Sequence, residues 1–321
     1  MVPSRRSIET ILRRNSSLVK ASPKLKTDPY ERYLSEEMQR ELNPTENIRK
    51  MMTKRPCTPI NQEPIMKPYR TMRVDGWNNE FYASLLDWSY NNYIGIGNRN
   101  SVDILNPYNE GSHLQRSVNC IGSNFASEVS SLAFSPNSTK YIAGLSSGSI
   151  HIVDYVSKKE VLQIEVNNQR IGSLEWKDVI FYGGRNCEVH ALDLRSPSSS
   201  LGVLHKGQSE VCGIKQHGNL VAIGSNNNSV SIYDLRKNNE IDKYHHMACV
   251  KALCWDRSGE YLYSGGGCTD RRILKWSAKE AAIVAGVTTD SQVCNLVHSK
   301  NSNEIVGCFG YPLNEICVWN S

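Results

Sequence analysis

Residues Val250 to Trp276, VKALCWDRSGEYLYSGGGCTDRRILKW, hold three short apolar runs: Val250–Trp255, Tyr261–Ser264 and Ile273–Trp276. Asp256-Arg-Ser-Gly259 ends the first run, and the triple glycine Gly265–Gly267, running into Asp270, ends the second. In VKALCW and RILKW apolar residues alternate with others, the period of a half-buried strand, and Gly/Asp clusters are where a chain reverses. The stretch therefore predicts strand–turn–strand–turn–strand. One such antiparallel meander has a bare apolar face and is not stable alone. It requires neighbours of its own kind.

From Phe81 onward the chain provides them. The closing strand of each unit is marked by an aliphatic residue and a large apolar one three positions later: Val102/Leu105, Ile150/Val153, Val189/Leu192, Val230/Tyr233, Ile273/Trp276 and Ile316/Trp319. Successive second members lie 48, 39, 41, 43 and 43 residues apart. A period of roughly 40–45 residues with about four strands per unit is the signature of a WD-repeat propeller. Asp154, Asp193 and Asp234 keep an acid in the closing dipeptide, whereas Trp276 and Trp319 keep the aromatic. Helical periodicity of comparable strength is absent, which disfavours an α/β enzyme. The expected fold is all-β: a WD-repeat β-propeller with six recognisable blades over residues 78–321. Before it stands a mostly disordered basic tail over residues 1–77, with a short helix over Pro29–Leu42. A propeller must close to remove exposed strand edges. Either six blades close, or a seventh is assembled partly from residues around Ile65–Val74, or the chain is truncated.

Charge is uneven along the 321 residues. Residues 1–70 carry 15 Lys/Arg against 8 Asp/Glu, a net +7, while the whole chain is +5. The folded body is thus slightly acidic, the reverse of what a nucleic-acid-binding face needs, and no nucleic-acid partner is expected. The ten cysteines include no CxxC pair, the N-terminus lacks an apolar signal core, and no apolar run approaches the ~20 residues that span a bilayer. A reduced, soluble, intracellular protein without a membrane partner follows, its cysteines acting mostly as small buried hydrophobes.

Nothing in the chain assembles a catalytic centre. The eight histidines are single except His245-His246, read as part of a solvated loop between the fourth and fifth repeats with no metal-ligand spacing around it. Gly265–Gly267 is not GxxxxGK[ST] and opens no helix, so it is turn glycine. No enzymatic activity, metal or cofactor is expected. A rigid propeller with variable loops points instead to peptide binding on its loop-bearing face.

Particular residues narrow this further. Phe81-Tyr82 with Leu86-Asp-Trp-Ser89, Arg170-Ile-Gly-Ser-Leu-Glu-Trp176, Glu210-Val-Cys-Gly-Ile214, Val250-Lys-Ala-Leu253, Gly265-Gly-Gly with Asp270-Arg271, and Ser291-Gln-Val-Cys-Asn-Leu296 occur in order. Together they resemble the Fizzy and Fizzy-related family, WD-repeat co-activators of the anaphase-promoting complex/cyclosome, from about Tyr69 to Trp319. Members usually have seven blades. The resemblance implies degron capture on the propeller, docking to the ubiquitin ligase, residence in nucleus and cytoplasm, and contact with ligase subunits, degron-bearing substrates and spindle-checkpoint proteins. For a Lys-Glu-Asn (KEN) degron it assigns Asn226, Gln292 and Glu80: a carboxylate for the lysine ammonium and amides for the peptide's Glu and Asn. A competing reading of Asn226 is that it shapes a tight turn.

Departures fall in the same places. Cys268 stands where the family has Thr, and Asp103 where it has Tyr, adding charge beside the expected lysine site. Ile96 and Asp75 would represent one side of a D-box groove, whose other wall belongs to a seventh blade. In the tail, Glu31-Arg32-Tyr33-Leu34 resembles the start of the ligase-docking C-box, with Ser35 for its proline and Glu37 for its final arginine. Ser22-Pro23 and Thr58-Pro59 are candidate phosphorylation sites. A second reading therefore stands beside the co-activator: a propeller scaffold or antagonist that has lost ligase docking.

Overall fold

The computed structural model describes residues 78–320, apart from residue 79, the segments 109–114, 120–126 and 196–199, and residue 167. The chain divides into two units, Met1–Arg73 and Val74–Ser321, and the fold described is that of the second. The expectations for the tail (Glu31, Arg32, Tyr33, Leu34, Asp75, the helix over Pro29–Leu42 and the strand around Ile65–Val74) lie outside the described residues.

Six antiparallel sheets follow one another along the chain. Blade 1 comprises β1 (Leu86–Trp88), β2 (Ile94–Asn98), β3 (Ser101–Leu105) and β4 (Gln115–Asn119). Blade 2 is β5 (Val129–Phe134), β6 (Lys140–Leu145), β7 (Ser149–Asp154) and β8 (Lys159–Glu165). Blade 3 is β9 (Ser173–Trp176), β10 (Ile180–Gly183), β11 (Glu188–Leu192) and β12 (Ser200–Lys206). Blade 4 is β13 (Val211–His217), β14 (Leu220–Ser225), β15 (Ser229–Asp234) and β16 (Asn239–His245). Blade 5, which contains the opening stretch, is β17 (Val250–Trp255), β18 (Tyr261–Gly266), β19 (Arg272–Ser277) and β20 (Ala282–Thr288). Blade 6 has three strands among the described residues: β21 (Val293–His298), β22 (Glu304–Phe309) and β23 (Ile316–Asn320). The repeat period thus translates into a six-bladed propeller, and within each sheet the strands pair in chain order.

The inner strands β1, β5, β9, β13, β17 and β21 pack side by side around a hub. In four of them one extra residue is inserted: the register against the second strand shifts between Val129 and Ser131, Val211 and Gly213, Val250 and Ala252, and Val293 and Asn295. Ser130, Cys212, Lys251 and Cys294 are therefore bulge residues at equivalent places. Opposite the bulge of blade 4 lies Gly224, where a Cβ would come within 2.3 Å of the Val250 carbonyl oxygen of blade 5. Only glycine permits that approach.

Blade 5 is tied to its neighbour by a buried polar network. The His246 Nδ1 lies 2.5 Å from Asp270 Oδ2 and its Nε2 2.8 Å from Ser264 Oγ, and Asp270 also accepts from Arg272 Nε at 2.7 Å. The solvated-loop reading of His245-His246 is corrected for His246, which sits just beyond β16 and is buried. Burial holds its imidazole below the ordinary histidine range, against the pull of Asp270. Burial alone would raise the Asp270 carboxyl, yet the hydrogen bonds from His246 and Arg272 bring it below the usual carboxylate range.

Candidate peptide-binding site

At one end of the propeller, the turn between second and third strands in blades 3 to 6 bonds to the connection that enters its own blade. Arg185 N–H donates to Arg170 O (3.0 Å), Asn226 N–H to Glu210 O (2.9 Å), Gly267 N–H to Cys249 O (3.0 Å) and Gly310 N–H to Gln292 O (3.0 Å). These bonds gather Asn226, Cys268 and Gln292, three of the sequence-predicted residues, at the same end of the hub.

The entry segment Glu80–Ala83 lies across this mouth. Lys251 Nζ donates to the Phe81 and Ala83 carbonyls, both at 2.6 Å, and sits 5.5 Å from the Phe81 ring centre. Tyr82 Oη donates to Asn226 Oδ1 at 3.1 Å. The Arg170 guanidinium stands 5.3 Å from the Tyr82 ring centre, pairs with Glu80 and binds Glu210 Oε1 at 2.5 Å. Gly172 lets the segment pass, since a Cβ there would meet the Tyr82 carbonyl oxygen at 2.7 Å. Burial, then the neighbouring thiols Cys249 and Cys212 and the Glu210 carboxylate, push the Tyr82 hydroxyl above its ordinary range, so it remains a donor. Beside the segment a cleft of about 410 Å³ is lined by Glu80, Ser146, Asn168, Gln169, Arg170 and Arg185.

The predicted residues fare differently. In the turn GSNNN, Asn227 Oδ1 accepts from the Ser229 amide and hydroxyl and Asn228 adopts φ 69°, so these two shape the turn. Asn226 belongs to the same turn, and its side chain faces Tyr82. Gln292 Nε2 donates to Cys294 Sγ at 3.5 Å. Cys268 is exposed, its carbonyl accepts from Arg271 Nε at 2.8 Å, and the hydroxyl of the next residue, Thr269, donates to Met247 O at 3.4 Å. Glu80, expected as an open carboxylate for a lysine, is instead engaged by Arg170. Asp103 and Ile96 pair across β2 and β3 and are buried within blade 1, so neither lines the mouth. The charge expected from Asp103 beside the lysine site is therefore absent from that surface.

Three residues at the mouth carry chemistry that sequence reasoning did not assign: Tyr82, Arg170 and Lys251. Tyr82 and Arg170 stand inside the Phe-Tyr and RIGSLEW motifs. Lys251 is the single cation in the otherwise uncharged run VKALCW, which was the available signal.

The fold defines a WD-repeat β-propeller with a polar, aromatic-lined mouth at one end of its hub. A profile for the anaphase-promoting complex subunit 4 WD40 domain matches residues 113–179, and one for the WD domain, G-beta repeat, matches residues 239–277. The chain is 31% identical over 259 residues to WD repeat-containing protein srw1 of Schizosaccharomyces pombe, covering 79% of this chain and 46% of that protein. It is 31% identical to Protein FIZZY-RELATED 1 of Arabidopsis thaliana (79% and 54% covered) and 29% identical to APC/C activator protein CDH1 of Saccharomyces cerevisiae (79% and 44% covered). It spans about half the length of these relatives. A chain in the crystal structure of the mitotic checkpoint complex superposes with a TM-score of 0.75 at 30% identity, with 79% of this chain and 80% of that chain covered. The chain belongs to the Fizzy and Fizzy-related family of WD-repeat proteins.

Proposed function

We propose that this protein is a substrate-recognition co-activator of the anaphase-promoting complex/cyclosome, acting in nucleus and cytoplasm without catalysis of its own. It holds degron peptides of KEN type over the hub and presents them for ubiquitination. The observation that carries this reading is the convergence of Tyr82, Asn226 and Gln292 at one end of the hub, beside an arginine already charge-balanced by Glu80 and Glu210. An extended peptide there finds amides, a phenol and an aromatic face, the groups that satisfy its polar side chains. The relatives named as activators of the same ligase support the ligase as partner, and the likeness to a mitotic checkpoint complex chain supports checkpoint proteins as further partners.

An immobilised peptide containing Lys-Glu-Asn is expected to retain the protein, and Asn226→Ala with Gln292→Ala to abolish retention, each lost hydrogen bond costing about 1–3 kcal/mol. Unchanged retention would overturn the site. Ligase subunits are expected to co-purify with the tagged full chain. Their absence, unrelieved by Glu37→Arg in the C-box-like segment, favours the scaffold or antagonist reading.

A further inference from the structure

We infer that Lys251 is a positioning residue for the peptide mouth: from the bulge of blade 5 it clamps the Phe81 and Ala83 carbonyls across the hub and so sets Tyr82 against Asn226. The inference rests on the peptide-binding reading of that mouth.

The bulge position sets Lys251 apart. Equivalent bulge residues in blades 2, 4 and 6 are Ser130, Cys212 and Cys294, all short. The Ser130 hydroxyl reaches only Gly144 O of its own blade, at 3.1 Å, and Ile171 O at the entrance to the next, at 2.7 Å. Of the four, position 251 alone carries a long cationic side chain, and its ammonium reaches a different blade. Both of its hydrogen bonds end on the chain entering blade 1, with the Phe81 ring beside it. Among the described residues it forms no ion pair, and its ionisable neighbours are the thiols Cys294, Cys212 and Cys308. Burial accordingly draws the ammonium below the ordinary lysine range. A desolvated cation of this kind costs stability unless its donors are met, so its two carbonyl partners are the reason it is tolerated.

The consequence lies one residue away on either side. Phe81 and Ala83 flank Tyr82, so fixing both carbonyls fixes the plane from which the Tyr82 side chain leaves. That side chain then meets Asn226 at its hydroxyl and the Arg170 guanidinium on its face. With Lys251 removed, Arg170 and Asn226 keep their own blades but lose the partner that is aligned between them. Lys251 touches no peptide in this scheme; it acts through Tyr82.

The test uses the full chain with Lys251→Met, which keeps the length of the stem and removes the ammonium. Hydrogen exchange is followed well below the unfolding transition, alongside the affinity for a fluorescein-labelled peptide containing Lys-Glu-Asn. Exchange in the segment Phe81–Ala83 is expected to accelerate about tenfold while strands β14 and β15 keep their protection. Peptide affinity is expected to fall about tenfold, with Lys251→Arg, which retains a cationic donor, recovering most of it. Unchanged protection of Phe81–Ala83 overturns the clamp, as does a loss of protection spread evenly over all blades, the mark of a merely structural residue. If wild-type protein does not bind the peptide, the degron reading fails and the exchange measurement alone still decides the clamp. Should the Met variant not fold, Lys251→Gln carries the same measurements.

Discussion

Blades 4 and 6 are built from the same repeat, yet they live in different environments. In blade 4 both faces of the sheet are buried: Val221, Ala222, Ile223, Val230 and Ile232 are all 0% exposed. In blade 6 burial alternates. Val293, Leu296, Ile305, Phe309 and Cys317 face inward, whereas Val297, Val306, Ile316 and Val318 are open to solvent, Ile316 at 71%. The residue opposite the inner-strand bulge differs in the same way. It is Gly144, Gly224 and Gly265 in blades 2, 4 and 5, but Cys308 in blade 6. Each glycine admits the following blade; Cys308 is exposed and needs no such clearance. Apolar patterning thus records a strand's capacity for burial, and the neighbouring sheet decides whether that capacity is used.

The largest expected difference between the two blades comes from cavity-forming truncation. Ile232→Ala should destabilise by about 2–5 kcal/mol, and Ile316→Ala by no more than about 0.5 kcal/mol, both read from urea unfolding midpoints. Equal losses would mean that the open face of blade 6 is covered in solution. Next in size is overpacking. Gly224→Val should cost about 1–3 kcal/mol because its side chain must displace the Val250 backbone, while Cys308→Val should be nearly neutral.

A pH measurement reports, by a smaller effect, on the two blades that flank blade 4. His246, beside blade 5, and His205, in blade 3, are both held below the ordinary histidine range by burial. The unfolded chain therefore takes up their protons first, and stability present above pH ~6.5 should be lost as pH falls through and below that value. Asp270 shifts in the same sense and adds a further loss below pH ~4. Lys251 is lowered too, so stability should rise slightly as pH climbs toward the ordinary lysine value of ~10.4. His246→Gln should flatten the neutral-to-acid slope measured by thermal unfolding, and an unaltered slope would remove His246 as its source. The smallest expected effect is that of Val318→Thr on the open face, within about 0.5 kcal/mol by the same measurement.

Much of the propeller is legible in the sequence because each blade is a local object. A strand of five or six residues, a Gly/Asp turn and a return strand are encoded within some forty residues, so VKALCW and RILKW form strands where their alternation places them, whereas Gly265 and Gly266, read as turn, extend the middle strand instead. The candidate site is legible only in part. Asn226 and Gln292 stand in short turns and connections whose end of the propeller follows from strand order. Glu80 reads as an open carboxylate because the residue that answers its charge, Arg170, lies 90 positions further along. Asp103 reads as a surface charge because alternation in SVDIL does not say which neighbour covers a given face, and here it turns a carboxyl into the blade. His246 reads as a loop residue because its partners, Ser264 and Asp270, come from later in the chain.

By itself, then, the sequence determined the repeat, the number of recognisable blades, the order of the strands and the family whose motifs they carry, because each rests on local spacing and turn chemistry. Only the tertiary structure decided which apolar faces are covered, that the Asn226 side chain meets Tyr82, and that Lys251 reaches across the hub. Those outcomes depend on which blades become neighbours and on how closely their backbones approach. Such distances arise when the sheets pack around a common axis, and no window of residues contains them.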